Sequence, residues 1–271
     1  MSDALLTLDG FGVAFGAQTV LSSVTLSLPR VGMTSLVGPA GSGKSTLLRT
    51  LSGLNEAQPQ LVTWGSATFD GAALRGEKPQ PGATRSGVGV VMQHAKFFIA
   101  SIRENLVSGL PDRARWGQPE QTRRVREALV ANGLESLVER LDDDVVSLPV
   151  GVQRRLAMVR ALLAEPLLLL ADEPTAGLDD EGAEALVALL QRQALERSVL
   201  FVTHHQGLAR AAGGTTVLLA GGYVREISPA ARFFVEPATE DGKSYLRTGR
   251  CPEVSPDASE EVLDVRAPRP S

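Results

Sequence analysis

The chain has 271 residues, of which 43% are hydrophobic and 21% charged, a balance typical of a folded globular protein rather than a disordered or fibrous one. Its net charge of -4 gives no general attraction to polyanions, so we expect no nucleic acid among its partners. The single cysteine, Cys251, cannot form an internal disulfide, and the first ten residues lack the basic segment of a signal peptide.

Short segments that alternate apolar and polar residues occupy the first thirty positions. They predict strands at residues 5–8, 12–15 and 24–28, which we interpret as an antiparallel layer. An apolar run at residues 33–37 then precedes a glycine-rich turn, and residues 44–51 have the composition of a helix. This order predicts a strand, a loop and a helix.

The middle of the chain is predicted to be helical between two strand-rich parts. After a strand candidate at residues 88–92, residues 101–163 follow a helical pattern in which Val125, Leu129 and Leu134 are the predicted buried positions. Strand and helix then alternate again. The predicted elements are a strand at 167–171, a helix at 181–196 and strands at 199–202 and 216–220.

The most apolar run, residues 162–171, is about half as long as a membrane-spanning helix, so we expect any membrane role to depend on a partner.

A phosphate-binding loop is the most specific motif. The pattern G-x-x-x-x-G-K-[ST] is matched between the predicted strand and helix, which is the context that the motif requires. Its backbone N–H groups can surround phosphate, Lys44 can reach the β and γ oxygens, and Ser45 is the expected Mg²⁺ ligand. The alternative, a glycine-rich turn with a surface lysine, does not account for the full pattern. The loop reads Gly38-Pro39-Ala40-Gly41-Ser42-Gly43-Lys44-Ser45-Thr46.

Two adjacent acids follow the apolar run that ends at Ala171. Asp172 can hold the water shell of the metal, as the carboxylate at the end of a neighbouring strand does in phosphate-loop enzymes. Glu173 extends beyond the strand and is the predicted general base for the attacking water. The alternative is a pair of acids that merely ends a buried strand, and the phosphate loop makes this the weaker interpretation.

The run from Leu170 to Asp179, Leu-Ala-Asp-Glu-Pro-Thr-Ala-Gly-Leu-Asp, closely resembles the Walker B and D-loop segment of ABC ATPases. By the same resemblance, Gln93 is the glutamine that touches Mg²⁺ and the attacking water, and His204 is the histidine that contacts the γ-phosphate. Phe15 resembles the aromatic residue that stacks on adenine, although taken alone it would be assigned to the core. His205 stands where the family often has Asp, and we assign it no role.

The resemblance implies a fold and a setting. The fold is an α/β phosphate-loop NTPase of the ABC type, with an antiparallel β subdomain and a helical subdomain inserted at about residues 94–165. One ATP-binding domain would span residues 1–250, and the Pro- and acid-rich residues 251–271 are predicted to be disordered. The implied ligands are ATP and Mg²⁺. The implied partners are transporter membrane subunits and a second ATP-binding subunit, in a homodimer or a heterodimer, at the cytoplasmic face of the membrane.

The sequence departs from the family at its signature motif. In ABC ATPases an LSGGQ motif completes the γ-phosphate site across a head-to-tail dimer, and the corresponding residues here are Leu-Pro-Val-Gly-Val at 148–152. Pro149 lacks the serine hydroxyl and an N–H, and Val150 is bulky where backbone should approach phosphate. Only Gly151 is retained as a nucleotide contact. We therefore expect slow hydrolysis, either in a homodimer with weak sites or in a heterodimer whose partner supplies an intact signature.

Two further segments are similar to those of phosphate importers within this family. One comprises Gln93 with Ser101-Ile102 and Glu104-Asn105-Leu106, and the other is Tyr-Leu-Arg-Thr-Gly-Arg at residues 245–250. The predicted function is therefore an ATPase subunit that drives solute transport, with phosphate as the solute. The alternatives are a nucleotide-gated regulatory module with little turnover and a soluble ABC protein outside transport. The latter class usually carries two cassettes or a long coiled coil, and neither is found in this sequence.

Overall fold

The computed structural model describes residues 4–74, 86–93, 97 and 100–252. Within these residues the chain forms one mixed sheet of ten strands together with eight α-helices. The strands are β1 (Ala4–Phe15), β2 (Gln18–Pro29), β3 (Gly32–Val37), β4 (Leu61–Phe69), β5 (Ala72–Ala73), β6 (Val88–Val91), β7 (Leu168–Asp172), β8 (Ser198–Val202), β9 (Thr215–Ala220) and β10 (Tyr223–Pro229). The helices are α1 (Lys44–Ser52), α2 (Ile102–Val107), α3 (Gln118–Ala131), α4 (Val150–Leu162), α5 (Asp180–Gln193), α6 (Gln206–Ala212), α7 (Ala230–Phe233) and α8 (Glu240–Thr248).

The sheet has an antiparallel part and a parallel part. Its strand order is β5-β4-β1-β2-β10-β9-β3-β8-β7-β6. Strands β1, β2, β4 and β5 pair in antiparallel fashion, which confirms the predicted opening layer. Strands β9, β3, β8, β7 and β6 pair in parallel fashion, so their carboxyl ends lie along one edge of the sheet. Ligand sites of open α/β sheets form at such edges.

The central parallel strands are apolar because both faces of the sheet are covered. Every residue of β7 and β8 is buried, as expected for parallel strands packed between helices. The register pairs Asp172 with Val202 and Val37 with Leu218. Because Val202 also pairs with Leu36, the last residues of β7 and β8 lie at the same level, and β3 extends one residue, Val37, beyond it.

The opening layer differs from its prediction in the length of its strands. Instead of three short segments, β1 and β2 have twelve residues each. Register shifts between Leu8 and Phe11 and between Asp9 and Gly12 mark a bulge, which breaks the two-residue periodicity without ending the strand. Across from it β4 contains Gly65 at φ 73°, and this strand was not predicted from the sequence.

The helical part between β6 and β7 has a hydrophobic core of its own. The predicted burial of Val125, Leu129 and Leu134 is confirmed, since each is at most 3% exposed. These residues pack with Ile102 of α2 and Leu156 of α4. The predicted α/β fold, with an antiparallel layer and a helical part between β6 and β7, is thus confirmed.

The C-terminal part contains three elements that were not predicted from the sequence, namely β10, α7 and α8. Of the predicted disordered tail, only Cys251 and Pro252 are among the described residues, so the prediction for 253–271 lies outside them. In the part of the chain that is described, no helix has both the length and the apolar character needed to cross a bilayer.

Candidate nucleotide site

The phosphate-type loop lies between β3 and α1, as predicted. Gly38 and Gly43 are required there by geometry. Gly38 has φ 150°, and a Cβ on it would lie 2.0 Å from the carbonyl oxygen of Leu219. Gly43, at the N-cap of α1, has φ 97°, and its Cβ would lie 2.5 Å from the side chain of Leu21. Only glycine combines these backbone angles with such close approach.

Lys44 is turned back onto the loop. Its ammonium donates hydrogen bonds to the carbonyl oxygens of Gly38 and Pro39 at 2.9 and 2.8 Å, and to Ser42 Oγ at 3.4 Å. The residue is only 8% exposed. Burial lowers the pKa of Lys44, and the charges of Glu173 and Asp172 oppose that shift. The three donors of a lysine ammonium are thus directed into the concave face of the loop.

Ser45 and Asp172 are brought together by the fold although 127 positions separate them. Ser45 Oγ donates a hydrogen bond to Asp172 Oδ1 at 2.9 Å. Asp172 is 2% exposed, and burial raises its pKa, against the hydrogen bond from Ser45 and the positive charge of Arg49. The pair presents two hard oxygen atoms beside the loop. Arg49 was not predicted to contribute, although it lies one helical turn after Ser45, where residues four apart share a face.

Glu173 adopts an unusual backbone conformation at the end of β7. Its φ is 46°, in the left-handed region that is unfavourable for a residue with a Cβ. Its N–H donates to the carbonyl oxygen of Val202 at 2.9 Å, so the backbone stays tied to β8 while the chain turns. Glu173 Oε1 lies 2.8 Å from His204 Nδ1. The glutamate side chain is 13% exposed and the histidine side chain 73%.

The two consecutive histidines have different surroundings. Whereas His204 contacts Glu173, His205 is the N-cap of α6, and its Nδ1 accepts a hydrogen bond from the backbone N–H of Leu208 at 3.1 Å. His205 therefore has a structural contact in the position where the sequence suggested no role. As an acceptor at Nδ1, the neutral imidazole takes the place of the Asp or Asn side chain that commonly caps a helix.

Three predicted site residues lie outside this cluster of contacts. Gln93 is exposed and follows β6 by two residues; extending the β6–β7 register beyond Val91 and Ala171 puts it level with Glu173. Phe15 ends β1 and is half-buried against the apolar core to which β1, β2 and α1 contribute. For Gly151, no atom of the phosphate-type loop lies within 4 Å of the position of an added Cβ.

The signature helix α4 begins next to the segment that follows Glu173. A Cβ added to Gly151 would meet Leu178 at 3.9 Å. Pro149 is the N-cap of α4 and makes no side-chain capping hydrogen bond, and the helix forms after it. Val150 is 53% exposed. This helix start therefore presents an apolar side chain to the surface of the protein.

More than half of the chain matches a known protein family. Residues 21–176 match the family model described as "ABC transporter", a segment that contains the loop, Pro149, Asp172 and Glu173. The chain belongs to the ABC transporter ATP-binding family. Phe15 and His204 lie outside the matched segment.

Curated relatives of this ABC protein extend the similarity over most of its length. Phosphate import ATP-binding protein PstB 3 of Natronomonas pharaonis is 32% identical over 240 residues, covering 88% of this chain and 86% of the relative. Phosphate import ATP-binding protein PstB 1 of Streptococcus pneumoniae is 29% identical over 251 residues, covering 92% and 99%. The similarity to these relatives therefore extends over most of the length of both chains.

Solved structures share the fold of this ABC protein. CbiO1 from Clostridium perfringens, part of the ABC transporter complex cbiONQ, superposes with a TM-score of 0.74 at 25% identity and covers 92% of this chain and 97% of that one. A bacterial Atm1-family ABC exporter with ATP bound gives a TM-score of 0.70 at 21% identity, covering 89% of this chain and 41% of that one. The second similarity concerns the fold alone.

Proposed function

We propose that this chain is the ATPase subunit of a phosphate importer, in which it binds ATP with Mg²⁺ and couples ATP hydrolysis to transport. The observation that carries the proposal is that two pairs of hydrogen-bonded side chains lie close together at one edge of the sheet. Ser45 and Asp172 form one pair, and Glu173 and His204 form the other, both next to the loop that Lys44 fills. A triphosphate needs such an arrangement of oxygen ligands, a cation and a base.

The residues at the sheet edge suit both proposed ligands. Mg²⁺ prefers hard oxygen ligands and is usually held by one or two protein groups together with substrate phosphates. Ser45 Oγ and Asp172 Oδ1, 2.9 Å apart, are oxygen atoms of that kind and would hold the ion. When bound, Mg²⁺ would neutralise part of the charge on the phosphate oxygens.

The phosphates of ATP would replace the intramolecular partners of Lys44. Its ammonium now donates to two neutral carbonyl groups of the loop, and phosphate oxygens accept stronger, charge-assisted hydrogen bonds. Exchange of these partners turns the lysine toward the β and γ phosphates and opens the loop. The positive N-terminus of α1 adds to the attraction for phosphate.

Glu173 and His204 would act on the attacking water. A carboxylate just beyond a strand end can orient a water molecule and accept its proton. The 2.8 Å contact between Glu173 Oε1 and His204 Nδ1 fixes the carboxylate on one side and leaves Oε2 for the water. The exposed imidazole of His204 is accessible to the γ-phosphate of a bound nucleotide.

The altered signature supports slow turnover. Pro149 has no N–H, and Val150 places a branched side chain where the family has glycine. Loss of one preorganised transition-state donor reduces rates by about 10²–10³. A nucleotide-gated module, in which ATP binding matters more than turnover, is the second candidate, and the same two residues favour it.

The transport assignment rests on relatives. Those named phosphate import ATP-binding proteins match most of this chain, whereas the solved structure of cbiO1 comes from a different transporter complex. We propose phosphate as the solute, two membrane subunits as partners, and a peripheral location at the cytoplasmic face of the membrane. The ATP-binding subunits would pair as a homodimer or as a heterodimer.

Calorimetric titration with ATP and Mg²⁺ tests the nucleotide site. Lys44→Ala should weaken binding by about 10- to 150-fold, the range for hydrogen bonds to charged groups, whereas Lys243→Ala on the exposed face of α8 should leave it unchanged. Asp172→Asn should bind ATP with reduced dependence on Mg²⁺ but without loss of thermal stability, because burial already raises the pKa of Asp172 and its charge is unfavourable in the folded protein. Equal affinity in wild type and Lys44→Ala would refute the site.

A transport assay tests the coupling and the solute. The chain is reconstituted in vesicles with a pair of phosphate-importer membrane subunits, and ATP-driven uptake of labelled phosphate is measured for wild type and Glu173→Gln. Uptake that requires Glu173 supports the proposal. ATP-driven uptake of another solute would overturn the assignment of phosphate alone. Transport that is independent of hydrolysis would favour the nucleotide-gated module.

A further inference from the structure

Arg160 of α4 lies with its guanidinium over an aromatic ring. The guanidinium carbon is 4.8 Å from the centroid of the Phe97 ring, within the range of a cation–π interaction. Arg160 is half-buried, and burial lowers the pKa of its guanidinium. No hydrogen bond or ion pair joins this guanidinium to any residue that the structure describes. The ring of Phe97 is therefore the contact that fixes the direction of the cation.

Phe97 packs against two hydrophobic cores at once. One core belongs to the parallel part of the sheet and includes Val91 of β6 and Ala171 of β7. The other is the core of the helical part, with Ile102 of α2 and Leu156 of α4. Because an aromatic ring buries a large apolar area, Phe97 joins the helical part to the sheet whose edge carries the nucleotide site.

The chain after α2 also meets Arg160. A Cβ on Gly109, two residues after α2, would lie 2.2 Å from the carbonyl oxygen of Arg160 and 2.9 Å from its Cγ. Only glycine allows the backbone to approach Arg160 so closely. Phe97 precedes α2 and Gly109 follows it, so the chain contacts the same arginine on both sides of this helix.

The start of α2 is bound to the helical part. The N–H of Ile102 donates a hydrogen bond to the carbonyl oxygen of Asp143 at 2.9 Å, and the N–H of Arg103 donates to that of Leu141 at 2.8 Å. These bonds connect α2 with residues of the helical part alone. Phe97, in contrast, also contacts the core of the sheet. A displacement of the helical part is therefore transmitted to the sheet through Phe97 and the arginine that holds it.

Gln93 is close to this contact along the chain. It follows β6, level with Glu173 in the extended register, and precedes Phe97 by four residues, a stretch that spans at most about 14 Å. We propose that Arg160 is a positioning residue for ATP hydrolysis: it holds Phe97 between the two cores and thereby keeps Gln93 at the sheet edge beside Glu173. The inference rests on the proposed hydrolysis of ATP. Because the phosphate-type loop takes no part in this contact, the effect falls on kcat more than on KM.

Arg160→Met tests the proposal because it removes the cation and keeps an unbranched apolar stem. We expect kcat to fall about twofold to 30-fold, the range for one cation–π interaction, with KM for ATP changed less than twofold. Arg160→Lys keeps a cation and should recover part of the loss. Arg124→Met is the matched control, because Arg124 of α3 lies over the Trp116 ring at 3.5 Å from its centroid, and it should leave both constants unchanged.

A double-mutant cycle tests whether the arginine acts through the ring. In a Phe97→Leu background, Arg160→Met should change kcat less than twofold, because its partner is already absent. An equal effect of Arg160→Met in both backgrounds would overturn the role of the ring. Unchanged kcat in Arg160→Met would overturn the role of the arginine. A rise in KM without a fall in kcat would place the effect on nucleotide binding and would also contradict the proposal.

Amide hydrogen exchange in the ATP-free protein gives a readout that does not depend on nucleotide. Helix α2 should exchange faster in Arg160→Met and in Phe97→Leu than in wild type or Arg124→Met, while β7 and β8 keep their protection. Unchanged exchange together with unchanged kcat would overturn the positioning role and leave the ATP site standing. Faster exchange throughout the chain would show a general loss of stability and would likewise overturn it. If wild type hydrolysed no ATP, the proposed function and the positioning of Gln93 would both be overturned, and the exchange of α2 would still show whether Arg160 holds this helix.

Discussion

Restoring the signature motif is the sharpest test of how this ABC protein works. The change is Pro149→Ser with Val150→Gly, which rebuilds Leu-Ser-Gly-Gly at the start of α4. Pro149 occupies the N-cap with φ −54° and ψ 146°, an extended conformation that serine adopts readily. Val150 is 53% exposed, so its removal leaves no cavity. The substitution therefore acts on the chemistry of this helix start with little effect on the packing beneath it.

The expected change in stability is small because opposing contributions nearly cancel. A serine N-cap contributes about 0.5–2 kcal/mol. Loss of the proline removes about 0.4–1 kcal/mol through the unfolded chain, and glycine in a helix is less favourable than other residues by up to about 1 kcal/mol. The net free energy of unfolding should change by less than about 1.5 kcal/mol. The expected shift of the unfolding midpoint is then at most about 6 °C.

The expected change in turnover is much larger. A serine hydroxyl and a backbone N–H are two donors that the wild-type helix start lacks, and each such donor contributes about 10²–10³ in rate when it is preorganised. We expect steady-state hydrolysis at saturating ATP to rise at least about tenfold in the chain alone if it forms a homodimer. Val146→Gly, at a valine that is 52% exposed in the preceding turn, controls for loss of an exposed valine and should have no effect.

Two outcomes would contradict this reasoning. One is a wild-type turnover as high as that of the restored variant, which would show that Pro149 and Val150 are compatible with fast hydrolysis. The other is a restored variant that forms the ATP-dependent dimer and still turns over at the wild-type rate. If the chain alone did not dimerise with ATP, the same measurement would be made with the candidate partner subunit present.

Two further predictions follow from the site and its supports. Glu173→Gln should lower hydrolysis by about 10²–10⁴ with ATP affinity retained, measured against Glu184→Gln on the exposed face of α5; equal turnover in the two variants would exclude Glu173 as the base. Glu226→Gln should lower the free energy of unfolding by about 1–3 kcal/mol, measured by denaturant titration against the exposed Glu236→Gln. Burial alone would raise the pKa of Glu226, but its hydrogen bonds from Ala238, Ser228 and Thr239 hold it below 4.5. The stabilisation of the folded protein by ionised Glu226 should therefore be complete above pH 4.5 and should be lost as the pH falls through the lowered pKa of Glu226. The glutamine variant should lack this pH dependence.

The elements around the loop could be predicted because their signals are local. The strand, turn and helix at residues 33–51 follow from an apolar run, three glycines and a helix-compatible segment, and β3 and α1 confirm them. The strands β7 and β8 lie within one residue of their predictions, since parallel buried strands appear as continuous apolar runs. Periodicity also gave the burial of Val125 and Leu129 correctly.

What could not be predicted depends on residues that are distant in sequence. The contact of Glu173 with His204 spans 31 positions. The left-handed backbone of Glu173 could not be predicted from its residue type, because glutamate rarely adopts that conformation. Likewise, β10 was missed because a bulge disturbs its alternation, and β4 was missed because Gly65, with φ 73°, interrupts its pattern. The hydrogen bond that Gln206 Nε2 donates to the carbonyl oxygen of Tyr245 spans 39 positions. No sequence pattern reports such a contact.

The phosphate-binding loop and the altered signature of one chain would belong to different catalytic centres of a head-to-tail dimer. Under the proposed function, Lys44, Asp172 and Glu173 would act on nucleotide bound to this chain, whereas the signature of a head-to-tail dimer would act on nucleotide bound to the partner. In a homodimer, Pro149 would therefore weaken both sites equally. In a heterodimer it would weaken only the site built on the partner's loop, and this chain's own loop would meet the partner's signature. Glu173→Gln in this chain would then abolish most of the hydrolysis of such a heterodimer, while Pro149→Ser with Val150→Gly would add a second active site. The number of ATP molecules hydrolysed per dimer in the first turnover distinguishes the two assemblies.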